Sequence, residues 1–464
     1  MDRTGRLQLN ADWVLPIATP PIRRGCVVVE GSRIVFVGAQ DSAPQLGAEV
    51  REYGPAILMP GLVNAHCHLN YSLLRGRLDF SDAFWTLKQI SLIKHQVLTE
   101  EDTRAAVAFG ALESIRFGIT TVATVVDRHY LYTPRLSAAL GLRTMGLLSI
   151  KRKTPQLETL DALLAEIAGP QQDGLLSVGL MPHTVYSLAP ERLREVSRYA
   201  ARRDLRVFIH LAELREELDF FKRVPRAYTE VGEGLRLFYE NNDAVSSPVD
   251  AAYQADLLTS RTGAVHCAQL DDRDIELLRQ AGSSVVLCPH TNLRMGNGLA
   301  PVHNLLAGGV EVCLGTDSAA TSSRYDLFDE MHLLAFASRM AQPHLPELAS
   351  EWIVRAATLS GAAALGLDDQ IGSLEPGKSA DLIAVALDPL ACMGIDNPYD
   401  LLVYVCRCTD VCLTMIDGRV LYQRGHLLID EAEAILQQAR AATGHIGERL
   451  LHAPVLPISK ESTE

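Results

Sequence analysis

The sequence predicts an α/β chain: a (β/α)8 barrel of the TIM type joined to a small β-sandwich domain built from both chain termini. Three observations carry this. Eight short apolar runs recur through the middle of the chain, with helical patterns filling the gaps. The two ends share a different texture of short alternating strands broken by Gly and Pro. Polar, chemistry-bearing residues fall at the C-terminal ends of the apolar runs, where a barrel keeps its chemistry.

The elements follow in order. Residues 1–55 include "CVVVEGSRIVFVGA", which reads as two strands joined by a turn at Gly31–Ser32. Then come "AILMPGLVNAH", "ITTVATVV", "TMGLLSI", "LSVGLMPH", "LRVFIHL", "GAVHC", "SVVLCP" and "VEVCLGTD". Stretches such as "TRAAVAFGALESIRFG" and "PERLREVSRYAARRD" supply the helices between them. Alternating strands and helices imply a parallel sheet. Eight units over residues 56–369 fit a closed barrel, with an open doubly wound sheet as the competing topology. Beyond it, "SADLIAVAL" and "VCLTMIDGRVLYQRG" return to short strands, with Asp417–Gly418 as a hairpin turn. Residues 1–55 and 370–440 are therefore expected to make one composite β domain, and residues 441–464 a loose C-terminal tail.

Composition narrows the function classes. A chain of 464 residues is long enough for a large barrel and a second domain. A formal net charge of -13 argues against nucleic acid or an anionic membrane as partner, since phosphates need a basic face. No apolar stretch approaches the roughly 18 residues of a membrane span. The nine cysteines form no disulfide framework, and several sit inside apolar runs. No signal-peptide pattern opens the sequence, so a reducing, cytoplasmic setting is expected.

Five of the fourteen histidines fall at predicted strand ends. His66 and His68 end the first run, His183 the fourth, His210 the fifth and His266 the sixth. Glu213 follows the fifth, and Asp317 ends the eighth. On a strand, the spacing of His66 and His68 points both imidazoles to one face. Two neutral imidazoles on one side can chelate a metal. Taken alone, such a pair reads as two polar residues flanking a buried Cys67; after "MPGLVNA" the metal reading is favoured.

"PGLVNAHCHL" resembles the first metal motif of the amidohydrolase superfamily. "FIHLAE", "AVHC" and "LGTDS" resemble its later motifs in the expected order, and "GSLEPGKSADLIAV" is similar to its return segment. The resemblance runs from about residue 25 to about residue 425. It implies one divalent metal held by His66, His68, His210 and Asp317, with zinc as the first ion and iron or manganese as alternatives. It implies that Glu213 carries a proton to the leaving nitrogen, that Asp317 takes one from water, and that His266 supports the attack. His183 in "MPHTVYS" resembles a substrate-contacting histidine of deaminases. The fourth run contains no Lys to bridge two metals, which points to the one-metal branch.

His290 and Asn292 in "CPHTNLRMGNG" follow the seventh run and are candidates to touch substrate. Arg152 and Lys153 read as a solvated basic loop, and His95 as structural or surface. The stretches "CPHTNLRMGNGLAPV" and "LGTDSAATSS" resemble S-adenosylhomocysteine and aminofutalosine deaminases, of the branch that includes triazine hydrolases. This implies hydrolytic deamination of an adenine-type nucleoside or related N-heterocycle, releasing ammonia. "NYSLLRGRLDFSDAF" departs from that pattern. Hydrolysis of triazine C–Cl or C–N bonds, or of a cyclic amide, is the alternative within enzymes. A catalytically silent binding protein is the alternative outside them. The expected partner is a small heterocycle, and the expected assembly a homo-oligomer.

Overall fold

Two sheets divide the strands. The computed structural model describes residues 5–44, 47–151, 159–169, 174–224, 230–240, 242 and 244–453. Arg152 and Lys153 lie outside the described residues.

The N-terminal segment supplies β1 (Arg6–Val14), β2 (Ile22–Glu30), β3 (Arg33–Ala39), β4 (Glu49–Glu52) and β5 (Ala56–Pro60). Eight parallel strands follow: β6 (Leu62–Cys67), β7 (Ile119–Val126), β8 (Arg143–Ile150), β9 (Leu176–Pro182), β10 (Val207–Leu211), β11 (Thr262–His266), β12 (Ser284–Leu287) and β13 (Val312–Leu314). Their spatial order is their chain order, and a parallel bridge between Cys67 and Asp317 joins the last strand to the first. This is the expected barrel, and all eight C-terminal ends share one rim. The chain then adds β14 (Leu382–Ala386), β15 (Val411–Ile416), β16 (Arg419–Gln423) and β17 (His426–Leu427) to the N-terminal strands. The expected sandwich takes the form of one mixed nine-stranded sheet, ordered β17-β16-β15-β14-β5-β1-β2-β3 with β4 beside β1. Leu9, Val27, Leu58, Leu382 and Leu413, from both chain ends, share one apolar core.

The apolar run expected as the first barrel strand splits at Gly61. Ala56–Pro60 pairs with β14 in the terminal sheet, and Leu62–Cys67 begins the barrel. A Cβ at Gly61 would lie 2.1 Å from the Thr120 side chain, so the crossing between sheets admits only glycine. A buried ion pair fastens the same region. Arg143 Nε donates to Asp381 Oδ2 at 2.8 Å, and Arg143 Nη2 to Asp381 Oδ1 at 3.0 Å. Asp381 Oδ1 also accepts from Asp417 N, while the Asp381 carbonyl accepts from Gly61 N. The Asp417–Gly418 turn has φ of 50° and 74°, the left-handed pair that suits a tight hairpin.

Helices start and stop where local chemistry dictates. Thr99 and Asp102 form a capping box for the helix Glu100–Arg116. Asp271 and Asp274 do the same for Asp272–Ala281, which ends on left-handed Gly282. The expected loose tail is corrected in part. Residues 441–452 continue a helix, Ala432–His452. Its buried Ile435, Ala439, Ala442 and Ile446 recur at helical spacing, and the last three pack with Ala105, Ala106 and Leu74. Arg449 pairs with Asp102. Residues 454–464 lie outside the described residues. All nine cysteines are free thiols. Among the described residues, no helix is long and apolar enough to cross a membrane.

Replacing Gly61 by Ala forces Thr120 to move in a packed seam. We expect a loss of about 1–3 kcal/mol of stability, seen as a lower urea midpoint. An unchanged midpoint would show that the seam has room.

Candidate active site

The rim of the barrel places five histidines within one cluster. His66 and His68 lie at the end of β6, His210 in β10, and His266 at the end of β11. Ring centroids of His66 lie 5.1 Å from His68, 5.0 Å from His210 and 6.0 Å from His266. His183, just past β9, lies 5.1 Å from His210. Asp317 Oδ1 sits 3.5 Å from His66 Nε2 and 3.3 Å from His68 Nε2. Two sets of ligand atoms, His66–His68–His210 and His66–His266–Asp317, each lie within 4.8 Å of one another.

Backbone geometry at the strand ends aims these groups. Ala212, His266, Cys267 and Asp317 have φ of 48°, 73°, 49° and 55°. Non-glycine residues there cost about 1–3 kcal/mol each and concentrate at functional sites. The imidazoles are held in orientation by their second nitrogens. His210 Nδ1 donates to the His183 carbonyl at 3.1 Å, leaving Nε2 for the cluster. His266 Nδ1 donates to Asn292 Oδ1 at 2.9 Å, so its Nε2 faces Glu213 Oε2 at 3.7 Å. Thr321 Oγ1 donates to Asp317 Oδ2 at 3.2 Å.

Burial sets the protonation states. It pushes His68 down to about 3 and His266 to about 4, and holds His183 and His210 well below the usual histidine value. Neutral imidazoles are the form that binds metal. Burial, reinforced by Asp317 and Glu217, drives the Glu213 carboxyl well above the usual range. Asp317 goes the other way. Burial opposes its ionisation, but the adjoining imidazoles of His66, His68 and His266 outweigh it and hold its carboxyl low. Both ring nitrogens of His66 are buried without a hydrogen-bond partner. Such orphaned nitrogens beside a carboxylate fit a cation.

A cavity of about 540 Å³ opens onto the cluster. His68, His183, His210, Glu213, His266 and Asp317 line it. His290 and Asn292 are absent from this wall. Asn292 is buried behind His266. The His290 backbone N–H donates to Glu330 at 2.8 Å, and its Nδ1 lies 3.7 Å from Asp329.

A family model described as "Amidohydrolase family" matches residues 57–421. The chain belongs to the amidohydrolase family. Among curated relatives, a 5-methylthioadenosine/S-adenosylhomocysteine deaminase of Moorella thermoacetica is 30% identical over 443 residues, covering 94% of this chain and 98% of the relative. A 5'-deoxyadenosine deaminase of Methanothrix thermoacetophila is 31% identical over 415 residues, covering 89% and 93%. Among solved structures, an adenosine deaminase from Xanthomonas campestris with bound zinc superposes with a TM-score of 0.85 at 27% identity, over 96% of this chain and 99% of that one.

In this amidohydrolase, sequence reasoning missed the far wall of the cavity. Phe84, Leu87, Lys94 and His95 of the helix Ala83–Gln96 line it, with Tyr71, whose ring stacks on His68 at 5.7 Å. Asp127 follows β7, and Ser149 and Lys151 lie at the end of β8. Asp127 and Lys151 obey the strand-end rule that picked out the histidines and could have been found by it. His95 had no such signal.

Replacing Asn292 by Ala strands the buried His266 Nδ1–H. We expect a stability loss of about 1–3 kcal/mol, read as a lower denaturation midpoint. Asn292→Asp, which keeps an acceptor, should recover most of it; equal midpoints for Asn292→Ala and the unaltered protein would break the argument.

Proposed function

We propose that the protein is a one-metal aminohydrolase that deaminates an adenine-type nucleoside or related N-heterocycle and releases ammonia. The observation that carries this is the convergence of four histidines, Asp317 and the buried Glu213 on one cavity. The names of both curated relatives and of the solved structure favour nucleoside deamination over triazine displacement.

His66, His68, His210 and Asp317 would hold the metal, and zinc is the proposed ion. A divalent metal there supplies water acidic enough to act as a nucleophile near neutral pH, a shift from about 15.7 to about 7 in pKa. Glu213 stands across from His266 and keeps a proton at its carboxyl, available to the nitrogen that leaves. Asp317, held ionised, accepts the proton of the attacking water. His266, fixed by Asn292 with Nε2 toward the cavity, steadies the oxygen adding to the ring carbon. His183 is proposed to contact the heterocycle, since it lines the cavity and its Nδ1 has no hydrogen-bond partner. The strand end before it, "LSVGLMPH", carries no Lys to bridge a second metal. The two terminal segments, 1–55 and 370–440, are proposed to act as one domain that braces the barrel through Arg143 and Asp381.

Metal analysis of the purified protein should return one divalent ion per chain, and two would contradict the ligand set. His210→Ala should lower metal content and activity together. Glu213→Gln should keep the metal and lower ammonia release by about 10²–10⁴-fold. Near-native turnover in Glu213→Gln would remove Glu213 from the chemistry. Absence of ammonia release from every purine nucleoside tried would remove the deaminase reading itself.

A further inference from the structure

Three groups of the cluster are oriented by a hydrogen bond to the side chain itself. His210 Nδ1 donates to the His183 carbonyl, His266 Nδ1 donates to Asn292, and Asp317 Oδ2 accepts from Thr321. Glu213 has no such bond. Among the described residues no group hydrogen-bonds its carboxyl, and His266 Nε2 stands 3.7 Å off. Its position must therefore come through its backbone.

That backbone is clamped by a carboxyl the proposed chemistry does not use. Glu217 lies in the first turn of the helix Arg215–Phe221 and is 1% exposed. Its Oε1 accepts the N–H groups of Glu213 at 3.1 Å and of Leu214 at 3.2 Å. Its Oε2 is buried without a hydrogen-bond partner, so among the described residues this turn takes all of the carboxyl's bonds. The turn enters from left-handed Ala212, whose carbonyl accepts Gln269 N at 2.9 Å, beyond the end of β11. Glu213 is thus held between the rim on one side and Glu217 on the other.

A helix cap would need only part of this. In the capping boxes at Thr99 and Asp271, the third helical residue, Asp102 or Asp274, takes the N–H of the capping residue itself. Glu217 takes the same bond from Leu214 and reaches one residue further, to the N–H of Glu213. That second bond lies outside the helix and satisfies none of its orphan amides. The carboxyl is also placed where charge is disfavoured. Burial pushes Glu217 up to about 7, against the pull of the Leu214, Glu213 and Ala212 N–H groups. A carboxyl so buried costs stability unless its bonds hold something in place.

We propose that Glu217 is the positioning residue of Glu213: its carboxyl clamps the turn after β10, so that the Glu213 carboxyl stays in the cavity opposite His266. The proposal rests on the reading that Glu213 moves a proton in a deamination. Glu217 itself is absent from the cavity wall and acts only through the backbone it holds.

Zinc-loaded Glu217→Ala is assayed beside the unaltered protein for ammonia release from adenosine and 5'-deoxyadenosine. A small misplacement of a reacting group is enough to lower kcat about tenfold to a hundredfold, and KM and zinc content should not change. Glu217→Gln keeps an oxygen facing the two N–H groups and should restore most of kcat. In a Glu213→Gln background, Glu217→Ala should cost almost nothing more, because the residue acts through Glu213. Crystal structures read the same point without turnover: Glu213 should leave its place opposite His266 in Glu217→Ala and keep it in Glu217→Gln. If Glu217→Ala does not fold, Glu217→Asp, one methylene short of the two N–H groups, replaces it with the same expectations. A lower denaturation midpoint with kcat unchanged, loss of zinc along with kcat, equal losses with and without the Glu213 carboxyl, or an unmoved Glu213 overturns the proposal. A displaced Glu213 with no ammonia from any compound supports it and overturns only the deaminase reading.

Discussion

The closure of the barrel between β6 and β13 is the constraint on which the site depends. The His66 carbonyl accepts the N–H groups of both Thr316 and Asp317, at 3.1 and 3.0 Å. Asn64 clasps Thr316 twice, through backbone and side chain. Gly315 lies so close that a Cβ there would meet the His66 backbone at 2.9 Å. These contacts bring the first and last strands together, and with them His66 and Asp317, which are about 250 residues apart in sequence. The left-handed φ of Asp317 is the local cost of turning its carboxylate inward. A backbone that did not close here would leave the carboxylate and the imidazoles on separate edges.

Depth does the rest of the electrostatic work. His66, His210, Glu213, His266 and Asp317 are all buried, so the medium disfavours charge on each. His210 and His266 are held below the usual histidine value, and Glu213 is driven above the usual carboxyl value. Asp317 alone is held ionised, because imidazoles surround it. One environment thus shifts two carboxyl groups in opposite directions. Asn292 and the His183 carbonyl add the remaining condition, a fixed tautomer for His266 and His210.

The legible parts of the sequence were those where period and position reinforce each other. Eight apolar runs predicted the barrel, and the Gly31–Ser32 and Asp417–Gly418 turns fell where the hairpins formed. Five strand-end histidines converged because strand ends in a parallel barrel share one rim. Apolarity alone could not reveal that "AILMPGLVNAH" feeds two sheets, since both halves are buried; only the packing of Gly61 on Thr120 shows the break. The Ala432–His452 helix was missed because its inner face is partly alanine, which gives a weak periodic signal. Asn292 was read as a substrate contact because it follows a strand end. Its turn sends it behind His266 instead, a placement that depends on how the helix Pro289–Arg294 leaves the rim. The wall formed by Ala83–Gln96 was out of reach for a similar reason: a helix above the rim contributes by its docking, not by its register.

The rim divides its labour around the barrel. Strands β10 and β11, with the β13–β6 seam, present imidazoles and two carboxyl groups. Strands β7 and β8 present Asp127, Ser149 and Lys151, none of which carries an imidazole. Tyr71 stacks on His68 and stands between the two arcs. The cavity therefore has the imidazole cluster at one end and the Lys94–Asp127 pair at the other. That polarity is built into which strand ends carry which residues.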